Sequence, residues 1–175
     1  GRFSLNGSVA DLLTYNFNYQ SQDPYFRQVS SATRGGGDNN LGSGKNQTSY
    51  NYGVSANVDR FLPRSWGVSI PVSYSYSKSV STPLLGNNSD ILLPEERRLE
   101  EQAISETQNF SVSERFSYSG DNILFKAFLN RQSVDFSYRR SFSQSVDRPY
   151  SLGENVTVGS RFDMSIRDFP TLPIF

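Results

Sequence analysis

The chain has 175 residues, with 17 Lys+Arg against 17 Asp+Glu and neither Cys nor His. With zero net charge and scattered basic residues, nothing in the sequence resembles the basic face of a nucleic-acid binder. The missing Cys and His exclude a disulfide framework, a Cys/His zinc site, a cysteine nucleophile and a histidine base.

The first predicted strand runs from about Ser8 to Tyr19, with Leu13, Tyr15, Phe17 and Tyr19 on one face and Thr14, Asn16 and Asn18 on the other. Asp23-Pro24 favours a turn or an edge. Residues 30–47, with three consecutive Gly at 35–37 and further Gly at 42 and 44, read as a flexible loop with too little apolar surface to offset its ordering entropy. Thr48 to Val58 is the second strand and Val68 to Val80 the third, joined by a short connection as a hairpin. The third alternates Val68, Ile70, Val72, Tyr74 and Tyr76 against Ser, with Pro71 the exception on the Ser face. Pro71 has no N–H for a ladder, which predicts a bulge or a locally broken pairing. Phe61 and Trp66 lie at the hairpin end, as interfacial aromatics or as a small plug closing the turn.

Thr82-Pro83 opens a long loop over 82–105, with a helix near 94–104. Pro94 suits the first helical position, Glu95 and Glu96 suit the positive end of the dipole, and Arg97 and Glu101 are an i,i+4 pair. Thr107 to Ser119 is a strand carrying Phe110, Val112, Phe116 and Tyr118, interrupted by Glu114. Gly120-Asp121-Asn122 is a turn, and Ile123 to Leu129 fits either a strand or a short helix. Ser133 to Phe142 is a strand in which Arg139-Arg140 breaks the pattern and marks a membrane boundary or a wet rim. Asp147-Arg148-Pro149 turns the chain into a last strand, Val156 to Ile166. Asp168 to Phe175 reads as a connection cut short, and the whole as a piece of a longer protein. The fold class is all-β: a single segment over 1–175, an antiparallel meander of about six or seven strands with one short loop helix.

Chemical motifs are weak. Gly44-Lys45 lacks the Gly five positions earlier and the following Ser or Thr of a phosphate loop. Asp38 to Gly42 begins like a calcium loop, but no Glu ends it. Sequons such as Asn46-Gln47-Thr48 arise by chance in a Ser- and Asn-rich chain. Glu95/Glu96 and Glu100/Glu101 lie on a polar helix with no apolar pocket to raise a pKa. Ser77 and Lys78 are adjacent on an alternating strand and so point to opposite faces, which argues against a Ser–Lys dyad. No catalytic, cofactor or metal residues are assigned, and an enzyme is not expected.

The stretch from Val58 through Phe61-Leu62-Pro63 and Trp66-Gly67 into the Ser-alternating strand and Thr82-Pro83 resembles the SprA/Sov family of giant outer-membrane proteins. Phe26-Arg27 before a Gly-rich loop is also similar. The resemblance is best over about 15–95 and fades after Ser105. It implies a very large outer-membrane barrel, the translocon of the type IX secretion system, which passes folded cargo and in some members supports gliding motility. The partners it implies are a plug protein, a PorV-type barrel and a periplasmic prolyl isomerase.

The residue pattern agrees with a membrane barrel. Mean hydropathy of −0.53 does not oppose it, because barrel strands alternate and need only about ten tilted residues. Desolvation places Tyr15, Phe17, Tyr52, Val54, Val68, Ile70, Val72, Tyr74, Phe136 and Tyr138 toward lipid, and Ser and Asn toward water. The second and third strands each span about 30 Å, enough to cover the bilayer core once tilted. The smallest bacterial barrels have about eight strands, so this chain is expected to be an arc of a larger barrel or a share of a joint one. Two other readings stand beside this: another outer-membrane barrel, such as a receptor or an assembly barrel, and a soluble secreted β-sandwich or adhesin, a binding module that takes glycan through exposed Tyr and packs its aromatic face on a second sheet.

Overall fold

The computed structural model describes residues 1–10, 12–23, 45–86, 91–122, 126 and 128–163. They form one eight-stranded antiparallel sheet: β1 (Arg2–Val9), β2 (Leu13–Gln22), β3 (Lys45–Asn57), β4 (Val68–Ser69), β5 (Pro71–Pro83), β6 (Ala103–Phe116), β7 (Gln132–Gln144) and β8 (Ser151–Phe162). Each strand pairs with its sequence neighbour, in the order β1-β2-β3-β5-β6-β7-β8, with β4 against β6. The sheet is open, and β1 and β8 are its edges.

The expected all-β meander is therefore present, with its boundaries moved. The predicted first strand joined two: Arg2–Val9 and Leu13–Gln22 form a tight hairpin through Ala10, whose φ is 48°. No Gly, Asn or Pro sits at residues 10–12, so the usual signal for φ > 0 was missing. The 30–47 loop was drawn too long, because Lys45, Asn46 and Gln47 begin β3 and pair with Pro83, Thr82 and Ser81. The 82–105 loop was too long at both ends for the same reason, since Ala103 and Ile104 already belong to β6. The helix expected near 94–104 is one short α1 (Glu95–Glu100), with Pro94 before it and Glu101 as its C-cap. Of the ambiguous 123–129 stretch, Lys126, Phe128 and Leu129 are helical. The last strand begins five residues earlier than Val156, at Ser151, and pairs with β7 from there. The Gly-rich stretch, the calcium-like Asp38–Gly42 segment and the 168–175 segment lie outside the described residues.

At Pro71 the pairing is broken without a bulge. Ser69 pairs with Arg115 and Val72 with Val112, so the register is the same on both sides and no residue is inserted. β4 and β5 are one strand interrupted where Pro71 offers β6 no donor. The Ile70 N–H is satisfied instead by Asp59 Oδ1 at 3.2 Å, and its carbonyl accepts from the Val58 N–H at 3.0 Å. Asp59 thus ties the hairpin connection to the weakened point of the strand.

Register sorts the side chains. One face carries Val9, Leu13, Ala56, Val72, Val112, Phe136 and Val158 in one row, and Tyr15, Val54, Tyr74, Phe110, Tyr138 and Val156 in the next. The opposite face carries Ser8, Thr14, Ser55, Ser73, Ser111, Ser137 and Thr157 in a single row. No described residue is buried, polar or apolar. A single sheet has no second layer to close over either face, so there is no core in the sense of a two-layer domain.

Candidate functional site

The two faces of the sheet are the features that bear on function. On the aromatic face, rings meet across strands. Tyr52 stacks on Tyr76 with centroids 5.1 Å apart, Tyr50 on Tyr76 at 6.0 Å, and Tyr52 tilts against Tyr74 at 6.0 Å. Phe3 meets Phe17 at 6.1 Å, and Phe110 meets Phe136 at 6.2 Å. Cross-strand aromatic pairs of this kind each contribute about 0.2–1 kcal/mol to pairing and fix register. Tyr15, Phe17, Tyr52, Val54, Val68, Ile70, Val72, Tyr74, Phe136 and Tyr138, assigned to one side from sequence, all share this face.

Polar groups interrupt the aromatic face. Lys78 on β5 pairs directly with Glu106 on β6, with Nζ 2.6 Å from Oε1. One row toward the apolar centre, Gln108, Arg140 and Glu154 lie side by side on β6, β7 and β8. Arg140 Nε is 3.6 Å from Glu154 Oε1, and the Tyr138 hydroxyl donates to that same oxygen at 3.3 Å. Arg139 faces the polar side, and Arg140 stands in a polar row on the aromatic side, with Phe142 and Leu152 beyond it. On β4 and β5 the apolar stretch from Val68 to Tyr76 covers about 27 Å of strand. On β6 only Phe110 and Val112 stand between Gln108 and Glu114, so the band is narrower over β6–β8.

The opposite face is a lattice of small neutral groups. Thr14 and Ser55 hydroxyls lie 2.5 Å apart, Ser73 and Ser111 hydroxyls 2.7 Å apart, and Asn109 Nδ2 donates to Ser75 at 3.2 Å. This face is concave over β1–β5, where a hollow of about 560 Å³ is lined by Asn6, Thr14, Asn16, Ser55 and Ser73 among others. Gly53 brings the backbone close at this point, since a Cβ there would fall 2.6 Å from Asn16 Oδ1.

The hairpin end at 58–67 holds Phe61 at 75 % and Trp66 at 56 % exposure, so they form no plug. Ser77 faces the polar side and Lys78 the aromatic side. Lys45, tested above as a phosphate-loop lysine, begins a strand. Among the described residues no group of three or more acidic side chains is placed to hold a metal ion.

One feature escaped sequence reading. At the end of the polar face where β6, β7 and β8 meet the 117–131 connection, a hollow of about 640 Å³ is lined by Arg115, Lys126, Arg131 and Arg161, with Asp163 at its side. These residues are scattered along the sequence with no spacing to link them, and only register assembles them. Arg115 and Arg161 flank Ser133 in one row.

Comparison with protein-family models, with curated proteins and with solved structures finds no match to this chain. Among the described residues no helix is long and apolar enough to cross a membrane, which says nothing about strands.

Proposed function

We propose that the chain is an arc of a large outer-membrane β-barrel, with its aromatic face toward lipid and its Ser/Asn face toward a water-filled lumen. One observation carries this reading: an open single-layer sheet with one mainly aromatic and aliphatic face and, among the described residues, none that is buried. In water such a face would expose a contiguous apolar patch and two unpaired edges, which soluble proteins avoid. In a bilayer the same face is solvated by lipid tails, and closure by further strands removes the edges. The apolar stretch on β4 and β5, once tilted by about 40°, spans roughly 20 Å, near the height of the apolar band of such barrels. The β-sandwich alternative needs a second sheet on the aromatic face, and the eight strands all belong to one sheet.

Within that class, the resemblance around Val58–Pro83 favours the translocon of the type IX secretion system. A pore for folded cargo requires many strands, of which an arc supplies a few. A lumen lined by small neutral groups would offer passing proteins little to adhere to. On this reading outer-membrane lipid and secreted cargo are its direct partners. The plug protein, the PorV-type barrel and the periplasmic prolyl isomerase are partners of the assembled channel. Another outer-membrane barrel differs in the cargo, not in the physics of the two faces.

The test is circular dichroism and sedimentation of the isolated chain in buffer and in detergent micelles. The expected result is β-rich ellipticity and a small, uniform species in detergent, with aggregation in buffer. A monodisperse, cooperatively melting monomer in buffer would sink the membrane reading. Loss of type IX cargo export after deletion of the parent gene would then separate the translocon from other barrels.

A further inference from the structure

We propose that the basic hollow at the β6–β8 end of the polar face is a binding site for an acidic polypeptide segment. The polar face is otherwise close to neutral. Over β1–β5 its only charged side chains are Arg2 and Lys45, at the strand ends away from this hollow. The hollow collects Arg115, Lys126, Arg131 and Arg161 around about 640 Å³, with Asp163 as the one acid lining it and Asp135 in the neighbouring row. Arg115 and Arg161 are exposed, and neither forms an ion pair with a described residue.

The site is held in place by its own backbone. Asn130 clamps the start of the connection with two reciprocal bonds: its Oδ1 accepts from the Tyr118 N–H at 2.5 Å, and its Nδ2 donates to the Tyr118 carbonyl at 2.9 Å. Arg131 is tied to the end of β8 in the same way. The Asp163 N–H donates to the Arg131 carbonyl at 3.0 Å, and Arg131 Nη1 donates to the Asp163 carbonyl at 3.2 Å. These bonds hold Arg131 beside the strand-borne Arg115 and Arg161, which lowers the entropic cost of binding.

Four cations in one hollow suit a ligand with several negative charges. Arg115 and Arg161 lie two strands apart, about 10 Å at their backbones. Two guanidinium groups so placed can converge on one anion or take separate partners, and Lys126 and Arg131 beside them raise the number of acidic groups the hollow can hold. An extended acidic chain, with successive same-side carboxylates about 7 Å apart, offers each guanidinium its own partner. The site also lies on the face away from the aromatic band, where a bilayer headgroup does not reach if that band meets lipid. In that respect the proposal rests on the barrel reading. Clustered charge of one sign at a wet mouth would also draw acidic segments in from solution, an effect that salt screens.

The experiment uses the chain in zwitterionic detergent micelles, with β content confirmed by circular dichroism, and a fluorescein-labelled deca-glutamate peptide at low ionic strength. Saturable binding is expected, weakened about tenfold in Arg115→Gln/Arg161→Gln and little changed in Arg139→Gln, which removes a charge from the same face outside the hollow. The single variants Arg115→Gln and Arg161→Gln, each checked for β content, carry the test if the double variant does not fold. No saturable binding to the parent chain, or an equal loss in Arg139→Gln, overturns the site. Displacement of the peptide by millimolar inorganic phosphate overturns its assignment to a polypeptide. If the chain is monomeric without detergent, the same titration in buffer tests the site while the barrel reading fails separately.

Discussion

Lys78 and Glu106 face each other across β5 and β6 on the aromatic side of the sheet, Nζ to Oε1 at 2.6 Å, one row beyond Tyr76. Each side chain is 26 % exposed, so the pair is neither fully solvated nor buried. It lies within the apolar face and interrupts it: Tyr76 precedes it, Tyr50 and Phe142 flank it in its own row, and Val80 and Ile104 stand in the next row outward. Removing one partner leaves the other without its counter-charge in a partly desolvated place. Lys78→Met should therefore destabilise the sheet by about 1–2 kcal/mol. Lys78→Met/Glu106→Gln should recover most of that loss. Urea midpoints in lipid vesicles measure both, and equal losses in the single and double variants would show that the pair is not coupled.

These polar rows within the apolar face were only partly legible in the sequence. Strict alternation from Val68 to Tyr76 and from Leu13 to Tyr19 was enough to assign faces, because a period of two has only two outcomes and desolvation chooses between them. Glu114 and Arg140 looked like interruptions of single strands. Register shows that Arg140 stands beside Gln108 and Glu154 as one row. That row is a property of three strands together, which no single-strand pattern contains. The β1–β2 hairpin was lost for a local reason, since Ala10 adopts positive φ without the residue types that announce it. The basic hollow was illegible for the first of these reasons.

The assignment of faces can be tested at neighbouring positions. Val54 and Ser55 are adjacent on β3 and point to opposite sides, as do Tyr74 and Ser73 on β5. Val54→Arg places a charge in the middle of the apolar band and should cost about 2–4 kcal/mol in lipid. Ser55→Arg, on the wet face, should cost well under half of that. The comparison is read from urea unfolding in vesicles, and a reversed order would exchange the lipid and lumen faces.

Gly67 is the residue least open to substitution among the described glycines. Its φ is 58°, at the end of the short 3₁₀ turn Arg64–Trp66, and a Cβ there would fall 2.2 Å from the Ser117 carbonyl oxygen. That oxygen belongs to backbone and has no rotamer by which to retreat. Gly67→Ala should cost about 2–3 kcal/mol, combining left-handed strain with a steric clash. Gly153→Ala is the control. Its Cβ would approach only the Ser141 hydroxyl, at 2.9 Å, which can rotate away. Thermal or urea midpoints of the two variants should differ clearly, and similar midpoints would mean that the hairpin end adjusts more freely than its geometry implies.

Asp59 supports the strand where Pro71 weakens it. Its carboxylate accepts the Ile70 N–H at 3.2 Å, the last donor before the proline. Asp59→Ala leaves that amide without its partner and removes the link between the 58–61 turn and the strand, at a cost of about 1 kcal/mol. The effect should be local. Amide exchange at Ile70 and Val58 should accelerate, while exchange in the middle of β7, at Phe136 and Tyr138, stays unchanged. Pro71→Ala acts in the other direction, because it restores an N–H facing β6 at the one step where β4 and β5 are interrupted. If the break is caused by the missing donor, Pro71→Ala should slow exchange at Val72 and Ser113 and raise the urea midpoint. If the midpoint falls instead, the fixed φ of proline contributes more to the strand than its missing hydrogen bond removes.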